Sequence, residues 1–447
     1  MKQQHMFSNK MIAGILIPVV LEQLLNSIMG TADTMMVSNI GSAAISAVSL
    51  VDSINILVIQ AFSALAAGGA IVCSQYIGQQ NKKMANESAR QVLFIITAIS
   101  IAVSVLCLGF KKPLLRLIFG SVEADVMRAS ETYFFYTAIS FPFIAAYDSA
   151  ASIFRAQENT KGPMLISMIS NAMNIVGNAI MIWIFHMGVA GAAISTLVSR
   201  IFCAVVVLIQ LRKDRQPIVV RDYLKIRPDW AMIRRILGIG IPSGVENSMF
   251  QLGKVLVLSL VSTFGTYAIA ANAVSNVITL FSILPGQAIC LAVTTVIARC
   301  VGAGDYEQAK YYNKKLILLT HIGMAITIFI VFITLPFILK VYNLSEAASE
   351  ATRHIIWFHG FCAILIWAES FTLPATFRAC GDAKACMIIS TVSMWIFRVG
   401  ASYILGKNLG LGVFGVWVAM IIDWAFRSLL FGIRYFRGKW KKHALVS

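Results

Sequence analysis

Charge is what this sequence has least of. Only 13% of its 447 residues are Asp, Glu, Lys or Arg, against about 25% in an average soluble protein. No polar stretch between its apolar runs approaches the roughly 50 residues of a small independent domain, so a soluble catalytic domain is not expected. No Walker lysine motif is present, and Gly238-Ile239-Gly240 runs into Pro242 without a preceding strand, which argues against a dinucleotide site. The eight cysteines lie mostly inside apolar runs, with no CxxC or Cys/His ligand spacing; they read as small packing residues rather than a metal centre. Alternating strand patterning is missing, which excludes an outer-membrane barrel. A cleavable leader is not expected either. Lys2, His5 and Lys10 precede an apolar stretch of about 27 residues with no small-x-small site, a retained first helix.

What remains is apolar. Hydrophobic residues make up 58% of the chain and the mean hydropathy is +0.78, more than a soluble surface can cover. Runs such as Gln91–Gly109, Met164–Phe185 and Leu316–Leu339 reach the roughly 20 residues that a bilayer core demands. The pattern predicts an all-α polytopic membrane protein with twelve spans near 11–37, 43–76, 90–110, 128–154, 163–185, 189–211, 232–263, 268–299, 311–335, 347–377, 384–405 and 413–436. The net charge of +17 would suggest nucleic acid in a soluble chain. Here the bases sit in short loops, where they set orientation, and no nucleic-acid partner is expected. Loops and span ends on the N-terminal side are assigned 27 of the 37 Lys and Arg, those on the opposite side seven, and only Arg200, Lys254 and Arg398 are placed deep within spans. That bias predicts cytoplasmic termini in a plasma (inner) membrane.

Sliding the sequence over itself by 224 residues aligns Pro18 with Pro242, Glu22 with Glu246, Gly41 with Gly265 and Gly78 with Gly302. One residue is then lost, so Pro113 meets Pro336 and Arg155 meets Arg378, before Gly188 returns to register with Gly412. Six spans per half is an even number, so the halves form a parallel repeat, two pseudo-symmetric six-helix bundles. The expected division is a first bundle over 1–211, a basic linker over 212–231, a second bundle over 232–436 and a basic tail over 437–447.

An ionisable side chain within a span costs several kcal/mol, about 3 on insertion scales, and is a functional candidate by default. Glu22 and Asp33 lie eleven residues apart on the first span, nearly on one helix face, with Asn26 and Met29 between them. Asn171, Asn174 and Asn178 make one polar stripe on the fifth span, and Thr196 on the sixth adds a hydroxyl. Such a stripe serves equally as helix–helix glue or as an ion path. A lone carboxylate beside it suits cation exchange. In the second half Glu246, Lys254 and Glu369 stand within spans. Lys254 is a counter-charge for Glu246 or Glu369, and the two acids suit cargo binding. Arg200, Arg398 and Asp423 read as buried pairs or snorkelling ends, and the histidines as structural.

Thr31-Ala32-Asp33-Thr34 leading to Asn39-Ile40-Gly41 after Pro18 resembles the first span of multidrug and toxic compound extrusion (MATE) transporters. Gln75-Tyr76-Ile77-Gly78, Val301-Gly302-Ala303-Gly304, the paired loops from Phe154-Arg155-Ala156 and Phe377-Arg378-Ala379, and Gly188-Val189-Ala190-Gly191 fit the same family. The resemblance spans essentially the whole chain. It implies a V-shaped pair of bundles working by alternating access as a cation-coupled antiporter. It also implies a cation site at Asp33, Asn174, Asn178 and Thr196. Asn178 stands where an aspartate is usual, which leaves Asp33 as the only anion and favours H+, although its amide oxygen would still serve Na+. Glu22, Met29, Glu246, Lys254 and Glu369 form a substrate or second coupling set. No cofactor is expected beyond the coupling ion. Membrane lipids, amphipathic cationic drugs and a monomeric state complete the expectation. The alternative in the same superfamily is a flippase for lipid-linked oligosaccharides; an intramembrane enzyme lacks the clustered acid/base or metal constellation it would need.

Overall fold

In a computed structural model, residues 5–38, 40–120, 122–213, 216–221 and 223–445 are described, the side chains of 29, 31–34, 38, 224 and 442 left aside. The spans are helices because a backbone in hydrocarbon must satisfy its own hydrogen bonds. In chain order they are α1 (Asn9–Ser38), α2 (Ser42–Gly78), α3 (Lys82–Gly109), the short α4 (Lys111–Phe119), α5 (Ala124–Ala156), α6 (Lys161–Ala179), α7 (Gly188–Leu211), α8 (Trp230–Ser262), α9 (Thr266–Gly302), α10 (Tyr306–Tyr342), α11 (Glu346–Trp367), α12 (Leu373–Ala379), α13 (Ala383–Ser393) and α14 (Gly412–Phe436). Wide π-turns at Ile180–Ile184, Ala368–Thr372, Met394–Gly400 and Tyr403–Asn408 extend α6, join α11 to α12 and extend α13.

Ten helical segments among the described residues are individually long and apolar enough to cross a bilayer. The more polar α5 and α8, 33 residues each, are about 50 Å long and complete the twelve. Leu365, Phe337 and Phe436 are 71, 70 and 87% exposed, which suits lipid and not water.

The repeat is written into the helix ends. α2 and α9 begin and end 224 residues apart, as do α7 and α14 at their first residues. Asn81 and Asp305, also 224 apart, cap α3 and α10 by accepting from the backbone N–H of Met84 and Gln308, each worth about 1 kcal/mol. Gly41 and Gly265 both enter the next helix at positive φ, 138° and 101°. The one-residue slip has a structural mark at each end. α10 runs unbroken through Pro336 where the first half splits at Phe110 into α3 and α4. The lost residue returns at the π-turn Met394–Gly400, since such a turn holds one residue more than an α-turn.

The chain forms two compact units, Asn9–Gly244 and Val245–Ser447, the latter joined by the described residues of Met1–Ser8. They part inside α8 rather than in the 212–231 linker. The reason is close packing of the start of α8 on α2: a Cβ at Gly68 would lie 2.8 Å from Gly240 N, and one at Gly240 would lie 2.9 Å from Leu65 Cα. The linker is also less exposed than a basic loop suggests. Ile218 and Val220 are buried, Gln157 Oε1 accepts from Ile218 N and Asn86 Oδ1 from Val219 N, and Tyr223 OH donates to Leu208 O. Desolvation pushes the Tyr223 phenol up to about 12, so it keeps its proton and its bond.

Candidate functional sites in the two units

In the unit Asn9–Gly244, α6 and α7 lie close because small residues face each other. A Cβ at Gly191 would meet Met181 Cβ at 2.8 Å, and one at Gly177 would meet Ser195 Cβ at 3.2 Å. The approach brings three expected residues together. Asn174 donates its Nδ2 to Thr196 Oγ1 at 3.1 Å, and Asn178 Nδ2 reaches Asn174 Oδ1 at 3.4 Å. Thr196 turns its own hydrogen to Ala192 O, and Asn178 is fully buried. Serines unnoticed in the sequence extend this polar seam: Ser195 Oγ donates to Asn174 O, and Ser170 Oγ to Ser199 O.

Asn171 is helix–helix glue, donating to Asn26 Oδ1 on α1 at 2.7 Å, with Ser167 on the same oxygen at 3.0 Å. Nearer the start of both helices Thr160 Oγ1 donates to Gly14 O. Two contacts spaced twelve residues apart on α1 and eleven on the Thr160–α6 segment mean that these helices run parallel. Seven residues beyond Asn26 and Asn171, the backbone of Asp33 stands level with Asn178. The side chains of Met29 and Asp33 lie outside the described residues.

Glu22 does not join this seam. It is buried, with Arg155 Nη1 3.8 Å from Oε2 and Tyr147 OH donating to Oε1 at 3.5 Å. Its repeat partner repeats the contact in the unit Val245–Ser447: Arg378 Nη1 donates to Glu246 Oε2 at 2.9 Å. A second guanidinium, Arg427, lies 3.8 Å from Glu246 Oε1. Arg427 belongs to no loop, contrary to its place among the N-terminal-side bases in the sequence count; it is 3% exposed within α14. Glu246 therefore stands paired with two guanidiniums rather than as a lone acid. Lys254 is not its counter-charge: among the described residues it makes no ion pair, and its ammonium lies 5.0 Å from the Phe250 ring centroid, a cation–π contact. Arg398 shares the same ring. Ser393 Oγ donates to Asp423 Oδ1.

Glu369 is paired as well, with a residue the sequence assigned to structure. His321 Nε2 is 3.0 Å from Glu369 Oε1, and its Nδ1 is 2.6 Å from the carbonyl oxygen of Ile364. A carbonyl only accepts, so Nδ1 carries hydrogen. The Nε2–Oε1 contact then contains one proton, on imidazolium or on carboxylic acid. Two residues 48 apart in sequence thus share one hydrogen bond. Among the described residues no group of three His, Cys, Asp or Glu is arranged to hold a metal ion.

The family model described as MatE matches residues 18–180 and again 242–404, the same 224-residue offset as the helices. The probable multidrug resistance protein NorM of Thermotoga maritima is 25% identical over 445 residues, covering 98% of this chain and 94% of that one. The uncharacterized transporter YisQ of Bacillus subtilis is 28% identical over 422 residues, 92% and 91% of the two chains. Among solved structures, a multidrug resistance MATE family transporter in an outward-facing conformation superposes with a TM-score of 0.90 at 19% identity, covering 97% of this chain and 96% of that one. A MOP superfamily transporter from Pyrococcus furiosus gives 0.89 at 19% identity with the same coverage.

Proposed function

The chain belongs to the MatE family of multi-pass membrane transporters, and from that premise we propose that it is a secondary antiporter. It exports amphipathic organic cations in exchange for H+ or Na+ by alternating access. Its role is transport rather than catalysis. The setting of this reading is a plasma (inner) membrane with both termini cytoplasmic.

The observation that carries the reading is the Asn174–Asn178–Thr196 cluster, half-buried with Asn178 at its closed end, level with the backbone of the only acid that follows Glu22 on α1. Three neutral oxygens attract a monovalent cation weakly by themselves, and the Asp33 carboxylate supplies the charge that makes binding depend on the ion. Neutralising a carboxylate among apolar helices removes a cost of several kcal/mol, of the order of 3. That difference biases two arrangements of α1, which Pro18 lets bend because its ring removes one backbone hydrogen bond. An ion that favours one arrangement shifts the population toward it, and this is what coupling requires. Glu369, with its shared proton, is the partly exposed acid that a cationic cargo meets in the second unit; Glu246, held by two arginines, is not.

Purified protein in proteoliposomes, given a cationic dye and either an imposed pH gradient or a Na+ gradient, tests the proposal. Dye movement driven by one of the two gradients is expected. Asp33→Asn should reach the membrane folded and lose gradient-driven movement. Parent-rate pumping by Asp33→Asn, or no gradient-driven transport by the parent protein, would overturn it.

A further inference from the structure

We propose that the unit Val245–Ser447 holds a binding site for a small monoanion, chloride in size and charge, in the cavity beside Glu246. The cavity has a volume of about 160 Å³ and is lined by Glu246, Arg378, Arg427, Ser390 and Thr391 among others. It is far below the roughly 300–1,000 Å³ of a drug-sized pocket, so it takes an ion with few companions and not cargo. The site is independent of which compound the protein exports.

Charge comes first. Two guanidiniums face one carboxylate, and arginine does not shed its proton in a protein. Adding Asp423 and Arg398, which act on each other electrostatically, leaves the excess at one positive charge, and Lys254 only raises it. An uncompensated charge buried within the span region is costly, and a bound monoanion removes that cost.

Hydrogen-bonding capacity points the same way. Ser390 and Arg427 are each 3% exposed. Yet Ser390 Oγ, Thr391 Oγ1 and Arg427 Nε have no hydrogen-bond partner among the described residues. Buried polar groups are otherwise paired. An N–H and two O–H groups that line a positively charged cavity are donors for an anion.

The first unit serves as an internal control. Residue by residue, Glu22 and Arg155 match Glu246 and Arg378, but the position matching Arg427 holds Cys203, 224 residues earlier. Ser167, the match of Ser390, has its hydroxyl engaged by Asn26, whereas the match of Asn26 is Phe250. At the matching place the first unit thus sets one cation, Arg155, against Glu22 and leaves no idle hydroxyl at the matching serine. The extra cation and the idle donors arise together in the second.

The test is thermal unfolding of the purified full chain in detergent, titrated with chloride or formate against gluconate at fixed ionic strength. A saturable rise in melting temperature with chloride, absent with gluconate, is expected. Formate matching chloride would show that a carboxylate fits the same donors. Arg427→Gln should melt at the same temperature in all three salts. Ser390→Ala, which folds without a charge change, should need about tenfold more chloride for half the effect, the loss of one hydrogen bond to an ion. Identical melting of the parent in chloride and gluconate would overturn the proposal. So would an undiminished chloride effect in both variants, or in Ser390→Ala alone where Arg427→Gln fails to fold.

Discussion

Removing the Glu246 carboxylate should damage the fold before it touches transport. In Glu246→Gln the Arg378 guanidinium loses its 2.9 Å partner and Arg427 its 3.8 Å neighbour, and both cations stay where they are because their helices are fixed by packing. Breaking a buried pair by deleting one partner costs about 3–5 kcal/mol, a large share of the 5–15 kcal/mol that holds an ordinary domain together. The opposite deletion is milder. Arg427→Gln leaves Glu246 and Arg378 as a one-to-one pair and should cost about 1 kcal/mol or less. The double variant carries one orphaned guanidinium instead of two and should recover part of the loss. A double-mutant cycle then has a coupling term between positions 246 and 427 of about 1–3 kcal/mol. Chemical unfolding in mixed micelles, followed by tryptophan fluorescence, supplies the four stabilities. If Glu246→Gln unfolds within about 0.5 kcal/mol of the parent, Glu246 is not neutralising these arginines.

Gly240→Val should destabilise the chain by about 1–3 kcal/mol through overpacking, because its Cβ would press on Leu65 Cα at 2.9 Å; loss of monodisperse protein on size-exclusion chromatography checks it. Thr196→Ala removes the acceptor of the Asn174 amide and should lower gradient-driven dye transport about tenfold, while Thr196→Ser keeps it; unchanged transport in the alanine variant would remove the hydroxyl from the site. His321→Ala leaves Glu369 without its proton partner and should change the pH dependence of transport more than dye affinity, which transport assays across pH 5.5–8.5, about three units around the ordinary histidine range, would resolve.

Sequence carried the architecture because a membrane imposes it locally. Twenty apolar residues must become a helix, and the glycine pairs Gly41/Gly265 and Gly188/Gly412, spaced at 224, mark where α2, α9, α7 and α14 start. The pairings were less legible. Glu22 and Glu246 align, and so do Arg155 and Arg378, yet nothing in the spacing says that the acid of a first span touches the arginine ending a fourth. Local rules reach four residues along a helix, and these contacts span more than a hundred. Arg427 was hidden for a different reason: seven residues before Arg434, it reads as part of a basic helix end, and only the course of α14 shows it inside. His321 was passed over because a lone histidine on an apolar helix has no ligand spacing, and its partner lies 48 residues on, in the next span.

The comparison of the two units explains why a single plan carries two kinds of chemistry. Both keep an acid on the first helix and an arginine at the end of the fourth, a contact that fixes the same helix pair in each. What surrounds it has diverged. In the first unit Asn26, Ser167 and Asn171 form a neutral seam, and the ionisable Asp33 follows two turns later on α1. In the second, Phe250 and Met394 match Asn26 and Asn171, and charges fill the space: Arg427 opposite Glu246, Arg398 and Lys254 over Phe250. A neutral seam with one acid changes its charge by one when an ion binds, which suits coupling. A dense set of opposed charges changes little when one more ion arrives, since the field is already fixed. Gradient dependence is therefore expected to reside in Asp33 and its asparagines, and the sensitivity of stability to ions in the arginines around Glu246.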